Sequence, residues 1–167
     1  MHSLTLIGVG LIGGSLALDL KRLGWVRTVI GIDIQADNLA RALERKVIDQ
    51  AYTTLDTEAL QSDIIVMATP VASMAAIASQ IADNLPEHAV ITDVGSTKQS
   101  TLAIFAQHLP RHYARCVAAH PIAGSDRHGA LAAQFGLFEH KKLVLCPHEK
   151  QDSGSLYLIE PLSRTRR

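Results

Sequence analysis

The sequence predicts a doubly wound α/β fold with a mostly parallel sheet, and three observations carry that prediction. Short apolar runs alternate along the chain with longer segments of helical spacing, which is the signature of βαβ units. The first run leads directly into Gly8-Val9-Gly10-Leu11-Ile12-Gly13, a G-x-G-x-x-G turn placed between strand and helix. Asp33 follows 20 residues after Gly13, at the end of the second strand-like run. Loop, context and acid together specify the Rossmann-type version of this fold.

Leu4-Thr5-Leu6-Ile7 reads as the first buried strand, and residues 11–23 as a helix with Ile12, Leu16, Leu20 and Leu23 on one face. Gly24 is placed to end that helix. Val29-Ile30-Gly31-Ile32 is the second strand, and Asp37 is expected to cap the helix that carries Leu39, Ala42 and Leu43. Residues 47–60 read as a connection. The run from Ile64 to Ala68 is a strongly apolar strand closed by Pro70, and a helix is expected over 71–85, with Val71, Met74, Ile77, Ala78, Ile81 and Leu85 inward. Ala89-Val90-Ile91-Thr92 is the next strand, and residues 98–109 form a helix stopped before Pro110. Cys116-Val117-Ala118-Ala119 and Leu143-Val144-Leu145-Cys146 complete a sheet of about six strands, most of them parallel. Residues 151–167 have no sustained periodicity, carry Gly154 and Pro161, and end Arg164-Thr165-Arg166-Arg167. They are expected to be a poorly ordered tail behind a dinucleotide-binding domain over 1–150.

Across 167 residues, 16 Lys and Arg balance 16 Asp and Glu, and 47% of the residues are apolar. Such a chain suits one globular domain with its own core. Net charge of zero removes the long-range attraction that nucleic-acid or anionic-membrane binding relies on, so neither partner is expected. No apolar stretch approaches the ~20 residues of a membrane-spanning helix. Met1-His2-Ser3 has no basic character, and glycines interrupt the apolar residues that follow, so a secretory signal is not expected either. Cys116 and Cys146 are too few for a disulfide framework, and a reduced, cytoplasmic protein is the expectation.

The glycine loop has a physical logic. Gly8 allows the tight turn, Gly10 lets backbone approach a pyrophosphate, and Gly13 lets helix pack closely on strand. The N–H groups of the first helical turn, at Leu11, Ile12 and Gly13, then face an anion with partial positive charge behind them. Asp33 is placed to accept from ribose hydroxyls, and neither Ile34 nor Gln35 is cationic, so NAD is expected over NADP. The alternative is a glycine turn that only joins strand to helix.

In such a sheet ligands collect beyond the carboxyl ends of the strands. Thr69-Pro70, then Asp93-Val94-Gly95-Ser96-Thr97-Lys98, then His120-Pro121-Ile122-Ala123-Gly124-Ser125-Asp126 occupy those positions. Thr69, Pro70 and Gly95 join the candidate cofactor contacts. His120 is a candidate base for a hydroxyl proton and Ser96 a candidate to orient the hydroxyl or the ring, while Gly124, Ser125 and Asp126 are candidate substrate or gating residues. A His bonded to a loop carbonyl and a Ser capping the next helix remain the structural alternatives. Cys116 with His120, or Cys146 with His148, lack the four converging ligands of a closed zinc site, so no metal is expected.

These motifs together resemble the prephenate/arogenate dehydrogenases of tyrosine biosynthesis. The resemblance rests on residues 6–15, on Ala68-Thr69-Pro70, on residues 92–98 and on His120-Pro121-Ile122-Ala123-Gly124-Ser125, and spans about residues 4–147. It implies NAD as cofactor, His120 as the catalytic histidine and Ser96 as its assistant. It also implies a small-molecule substrate, prephenate or arogenate, and a homodimer formed through a helical C-terminal domain. Asp126 stands where the family usually has Glu. Residues 151–167 look unlike the family, so the expectation is a truncated chain that holds NAD without a complete substrate pocket. Two alternatives stay open: a non-catalytic NAD-binding module, and another hydroxyacid or imino-acid dehydrogenase.

Overall fold

Leu4 and Leu6 point to one side of the first strand and Ile7 to the other, and this alternation organises the molecule. A computed structural model describes residues 1–123 and 129–163. In chain order the elements are β1 (His2–Ile7), α1 (Leu11–Arg22), β2 (Val26–Ile32), α2 (Ala36–Glu44), β3 (Gln50–Tyr52), β4 (Ile64–Met67) and α3 (Val71–Ile81). They continue with β5 (Val90–Asp93), α4 (Lys98–His108), β6 (Cys116–Pro121), β7 (Leu143–Cys146) and α5 (Ser153–Ile159). The strands form one sheet in the order β3-β2-β1-β4-β5-β6-β7. All neighbours pair in parallel except β6 and β7, which run antiparallel.

Both faces of the sheet are covered. Leu4, Leu6, Ile64 and Val66 meet Leu16 and Leu20 of α1, Leu39 of α2 and Ile159 of α5. Ile7, Ile65, Met67 and Ile91 meet Met74, Ala78 and Ile81 of α3 and Phe105 of α4. Strands covered on both sides read as continuous apolar runs, which is why β4 is Ile-Ile-Val-Met with every residue buried. The chain winds outward from β1 to β3, then returns to place β4 on the other side of β1. That reversal opens a crevice at the carboxyl ends of β1 and β4.

Several expectations are corrected. The sheet has a further strand, β3, which the sequence hid in a connection because it is three residues long, starts with an exposed Gln50 and lies at an edge. α3 stops at Ile81 rather than at 85: Asn84 N–H bonds back to the Ile81 carbonyl, and Pro86 disfavours helix in the residue before it. Asp37 does not cap α2; the N-cap is Gln35, without a side-chain bond, and Asp37 lies in the first turn. Its charge there still complements the helix dipole.

The largest correction is at the C-terminal end. The segment expected as a poorly ordered tail, residues 151–167, contains α5, whose N-cap Asp152 accepts from both the N–H and the hydroxyl of Ser155 at 2.8 Å. Those bonds hold the Asp152 carboxyl below its ordinary range. Ile159 is fully buried and α5 packs on β5 and β6, so residues 151–159 belong to the same body as the sheet. The signal was the pair Asp152 and Ser155 three residues apart, an N-cap spacing that a weak apolar pattern masked. Residues 164–167 lie outside the described residues. No described helix is long and apolar enough to cross a membrane.

Candidate functional site

The crevice between β1 and β4 is an open cleft of about 1240 Å³. Gly8, Val9, Gly10, Asp33, Thr69 and Pro70 all line it. The three loop glycines have different surroundings. Gly8 has φ +92°, and a Cβ there would meet the Ala68 carbonyl oxygen at 2.7 Å. At Gly13 a Cβ would meet Leu6 Cδ1 at 2.6 Å and the Ala68 Cβ at 2.8 Å, so this position is pure helix-to-strand packing. At Gly10 a Cβ would meet nothing within 4 Å. Gly10 is also the N-cap of α1 and makes no side-chain cap, which leaves the first-turn N–H groups of Leu11, Ile12 and Gly13 without side-chain acceptors among the described residues. Leu11, Ile12 and Gly13 do not themselves line the cleft; they form the helical turn behind it.

Asp33 follows the last residue of β2 and is held from three sides. Its Oδ2 accepts from Val9 N–H at 3.1 Å and from Asn38 Nδ2 at 3.0 Å, and its Oδ1 accepts from Gln35 N–H at 3.0 Å. Thr69 Oγ1 is buried and has no hydrogen-bond partner among the described residues. A cradle open at Gly10, a helix N-terminus, a fixed carboxylate and an orphaned hydroxyl fit a ligand with a diphosphate and a ribose.

The other candidate residues stand at the ends of adjacent strands, outside the lining of this cleft. His120 is in β6, opposite Val144 of β7, half-buried, and its ring makes no hydrogen bond among the described residues. Ser96 is exposed; it does not cap α4, whose N-cap is Thr97. Neither of the structural alternatives for these two side chains is therefore what the described residues show. Gly95 N–H is bonded to Asp93 Oδ2 at 2.9 Å. Gly124, Ser125 and Asp126 lie outside the described residues.

What the sequence did not reveal is the buried ion pair behind these loops. Asp93, fully buried at the end of β5, accepts from Lys98 Nζ, from Thr101 Oγ1 at 3.2 Å and from Ala119 N–H at 3.0 Å. Lys98 Nζ also donates to the Ala119 carbonyl at 2.7 Å. One ion pair thus grips both polar groups of the residue before His120, and the same carboxylate fixes the turn before Ser96. Burial pulls the Lys98 ammonium below its ordinary value, against the raising influence of Asp93. Lys98→Met would leave Asp93 buried and unpaired, and the expected loss is about 3–5 kcal/mol of stability in denaturant unfolding. A loss under about 1 kcal/mol would show the pair to be weakly coupled to the fold.

Asn38 is the second missed residue, and it has no motif because two of its three partners, Val9 and Ala130, come from distant segments. Cys116 is buried, its thiol pushed up to about 12 by burial, and bonds to the His112 carbonyl. His148 bonds to the carbonyls of Tyr113 and Cys116 and stacks on the Tyr113 ring. Among the described residues no group of three or more His, Cys, Asp or Glu side chains is arranged to hold a metal ion.

Residues 16–165 match the family described as prephenate dehydrogenase, nucleotide-binding domain, a span that includes the segment expected to be unlike it. The chain is 36% identical over 161 residues to a prephenate dehydrogenase of Bacillus subtilis, covering 96% of this chain and 43% of that protein. It is 33% identical over 153 residues to that of Lactococcus lactis, covering 90% and 42%. The solved prephenate dehydrogenase of Aquifex aeolicus, in complex with hydroxyphenyl propionate and NAD+, superposes with a TM-score of 0.90 at 31% identity, covering 99% of this chain and 57% of that one. A Synechocystis arogenate dehydrogenase gives 0.85 at 30% identity, covering 96% and 57%. The chain spans less than half the length of these two curated relatives.

Proposed function

The chain belongs to the prephenate dehydrogenase nucleotide-binding domain family, and on that premise we propose that it is the NAD-binding part of a prephenate dehydrogenase. The observation that carries the reading is the cleft: a bare Gly10 before a helix N-terminus, facing a carboxylate that is already braced. Gly8, Gly10 and the turn of Leu11, Ile12 and Gly13 would hold the pyrophosphate, Asp33 the ribose, and Thr69, Pro70 and Gly95 the remainder. When bound, NAD supplies the hydride acceptor.

The reaction is the oxidative decarboxylation of prephenate to 4-hydroxyphenylpyruvate. Hydride leaves the ring carbon that bears the hydroxyl as the hydroxyl proton passes to His120; the ring carboxylate then departs as CO2, its electron pair enters the ring, and the phenolate oxygen so formed takes the proton back from His120. Aromatisation drives the step, so the protein has to position, accept one proton and support charge. His120 suits the task because its ring is uncommitted among the described residues, and Ser96 because its exposed hydroxyl is free to orient the substrate hydroxyl or the ring. Gly124, Ser125 and Asp126 complete the proposal as substrate or gating residues. We assign substrate-carboxylate recognition and homodimer formation to the part of the relatives' length that this chain does not span, and we place the protein in the cytoplasm.

Calorimetric titration with NAD, followed by NADH formation with prephenate and with arogenate in parallel, tests the reading. NAD binding together with turnover of a cyclohexadienyl substrate supports it, and the faster substrate settles prephenate against arogenate. No NAD binding sinks it. NAD binding with no turnover by residues 1–167, alone or joined to a relative's remaining domain, favours a non-catalytic module.

Cofactor preference gives a second test. Ile34 is 91% exposed, so an arginine there has room to meet a 2′-phosphate. Asp33→Ser combined with Ile34→Arg should move the NAD/NADP affinity ratio toward NADP by about ten-fold or more, since a hydrogen bond to a charged group is at stake. Equal affinities for the two dinucleotides in the unaltered chain would remove Asp33 from the selection.

A further inference from the structure

Asn38 sits on the inner side of α2, 8% exposed, and its carboxamide is engaged from three directions. Nδ2 donates to the Val9 carbonyl at 2.8 Å and to Asp33 Oδ2 at 3.0 Å, while Oδ1 accepts from Ala130 N–H at 2.7 Å. The chemistry dictates which way the amide faces. Ala130 N–H can only donate, and the Val9 carbonyl and the Asp33 carboxylate can only accept, so a flipped amide would lose all three bonds.

The consequence falls on Asp33. With Val9 N–H and Asn38 Nδ2 on Oδ2, both acceptor positions of that oxygen are taken; Oδ1 has Gln35 N–H and keeps one position open. The carboxylate cannot turn without breaking these bonds, and it lines the cleft. Gly129, next to Ala130, lines it too.

We propose that Asn38 is a specificity-determining residue of the dinucleotide site and acts through Asp33. By occupying Oδ2 it holds the carboxylate as a fixed acceptor for a ribose hydroxyl and a fixed obstacle to a 2′-phosphate. The inference rests on the NAD reading given above and adds to it the residue that keeps the acid in place.

Calorimetry on the chain with NAD and with NADP tests it in four variants. Asn38→Asp keeps the shape and the acceptor for Ala130 N–H but cannot donate to Asp33, and NAD affinity should fall by at least about ten-fold. Asn38→Leu, of similar size and uncharged, should also cost about ten-fold and narrow the gap between NAD and NADP. In an Asp33→Ala background, adding Asn38→Leu should change NAD affinity by less than about two-fold, because the route through the acid is already gone. An equal loss in that background would mean that Asn38 only shapes the glycine loop through Val9, and the proposal would fall. A readout on the unaltered chain does not depend on any variant folding: NAD should shift the Asn38 side-chain amide signals in NMR, whereas nicotinamide mononucleotide, which lacks the adenosine, should leave them in place. Signals that ignore NAD while NAD binds overturn the role of Asn38 alone. A chain that binds no NAD overturns the cofactor reading and this inference with it.

Discussion

Gly10→Val should abolish measurable NAD binding while leaving circular dichroism and Tm close to those of the unaltered chain. The backbone at Gly10 is extended, with φ −107° and ψ −163°, a conformation valine adopts readily. Apart from its chain neighbours, a Cβ there finds no atom of the described residues within 4 Å, so the new methyl groups enter the cleft and not the core. They stand over the first turn of α1, where a diphosphate would need to reach the N–H groups. The folding cost is that of a poorer N-cap, about 0.5–1 kcal/mol. Gly13→Val is the contrasting case. Its Cβ alone comes within 2.6 Å of Leu6 Cδ1 and 2.8 Å of the Ala68 Cβ, before any γ-carbon is placed. Overpacking of that kind costs about 1–3 kcal/mol or more, so Tm should fall clearly. If Gly10→Val kept its NAD affinity, or lost as much Tm as Gly13→Val, the division between a binding glycine and a packing glycine would be wrong.

That division was partly legible in the sequence, since the three glycines sit at the spacing a strand-turn-helix unit needs. β1, β4 and β5 were equally legible because strands buried on both faces leave continuous apolar runs. β3 was not, because an edge strand needs no such run, and its three residues are exposed or half-exposed. α5 was not, because its order comes from Asp152 bonding Ser155 and from one buried Ile159, with Tyr157 left exposed.

The site shows the same boundary between local and long-range information. As candidates, Asp33, Thr69, Ser96 and His120 are visible because each lies within three residues of a strand's carboxyl end, and a strand end is visible one element at a time. Asn38 and the pair of Asp93 with Lys98 are not, because two of the three partners of Asn38 lie 29 and 92 residues away and the pair closes on the Ala119 peptide. Nothing in the spacing of five between Asp93 and Lys98 announces that both will close on the same peptide group.

In a chain that turns over prephenate, whether residues 1–167 as they stand or joined to a relative's remaining domain, His120→Asn should lower kcat by about 10²–10⁴ and leave NAD affinity nearly unchanged. Asparagine keeps hydrogen-bonding capacity and comparable reach but cannot take up a proton at neutral pH, so the variant removes the proposed base and little else. The local structure should survive. The His120 ring bonds to none of the described residues, its backbone remains paired with Val144, and Ala119 stays clamped by Asp93 and Lys98. NAD affinity should hold because His120 is not among the residues that line the cleft of Gly8, Gly10 and Asp33. The two readouts therefore separate: a binding defect would point to loop disruption, and a kcat defect at constant affinity to lost proton transfer. Chemical rescue decides between a base and a mere spacer. His120→Gly should regain part of its turnover when imidazole is added, which a positional role does not predict. Full activity in His120→Asn would remove His120 from the proton path and leave Ser96 as the strand-end group to test next.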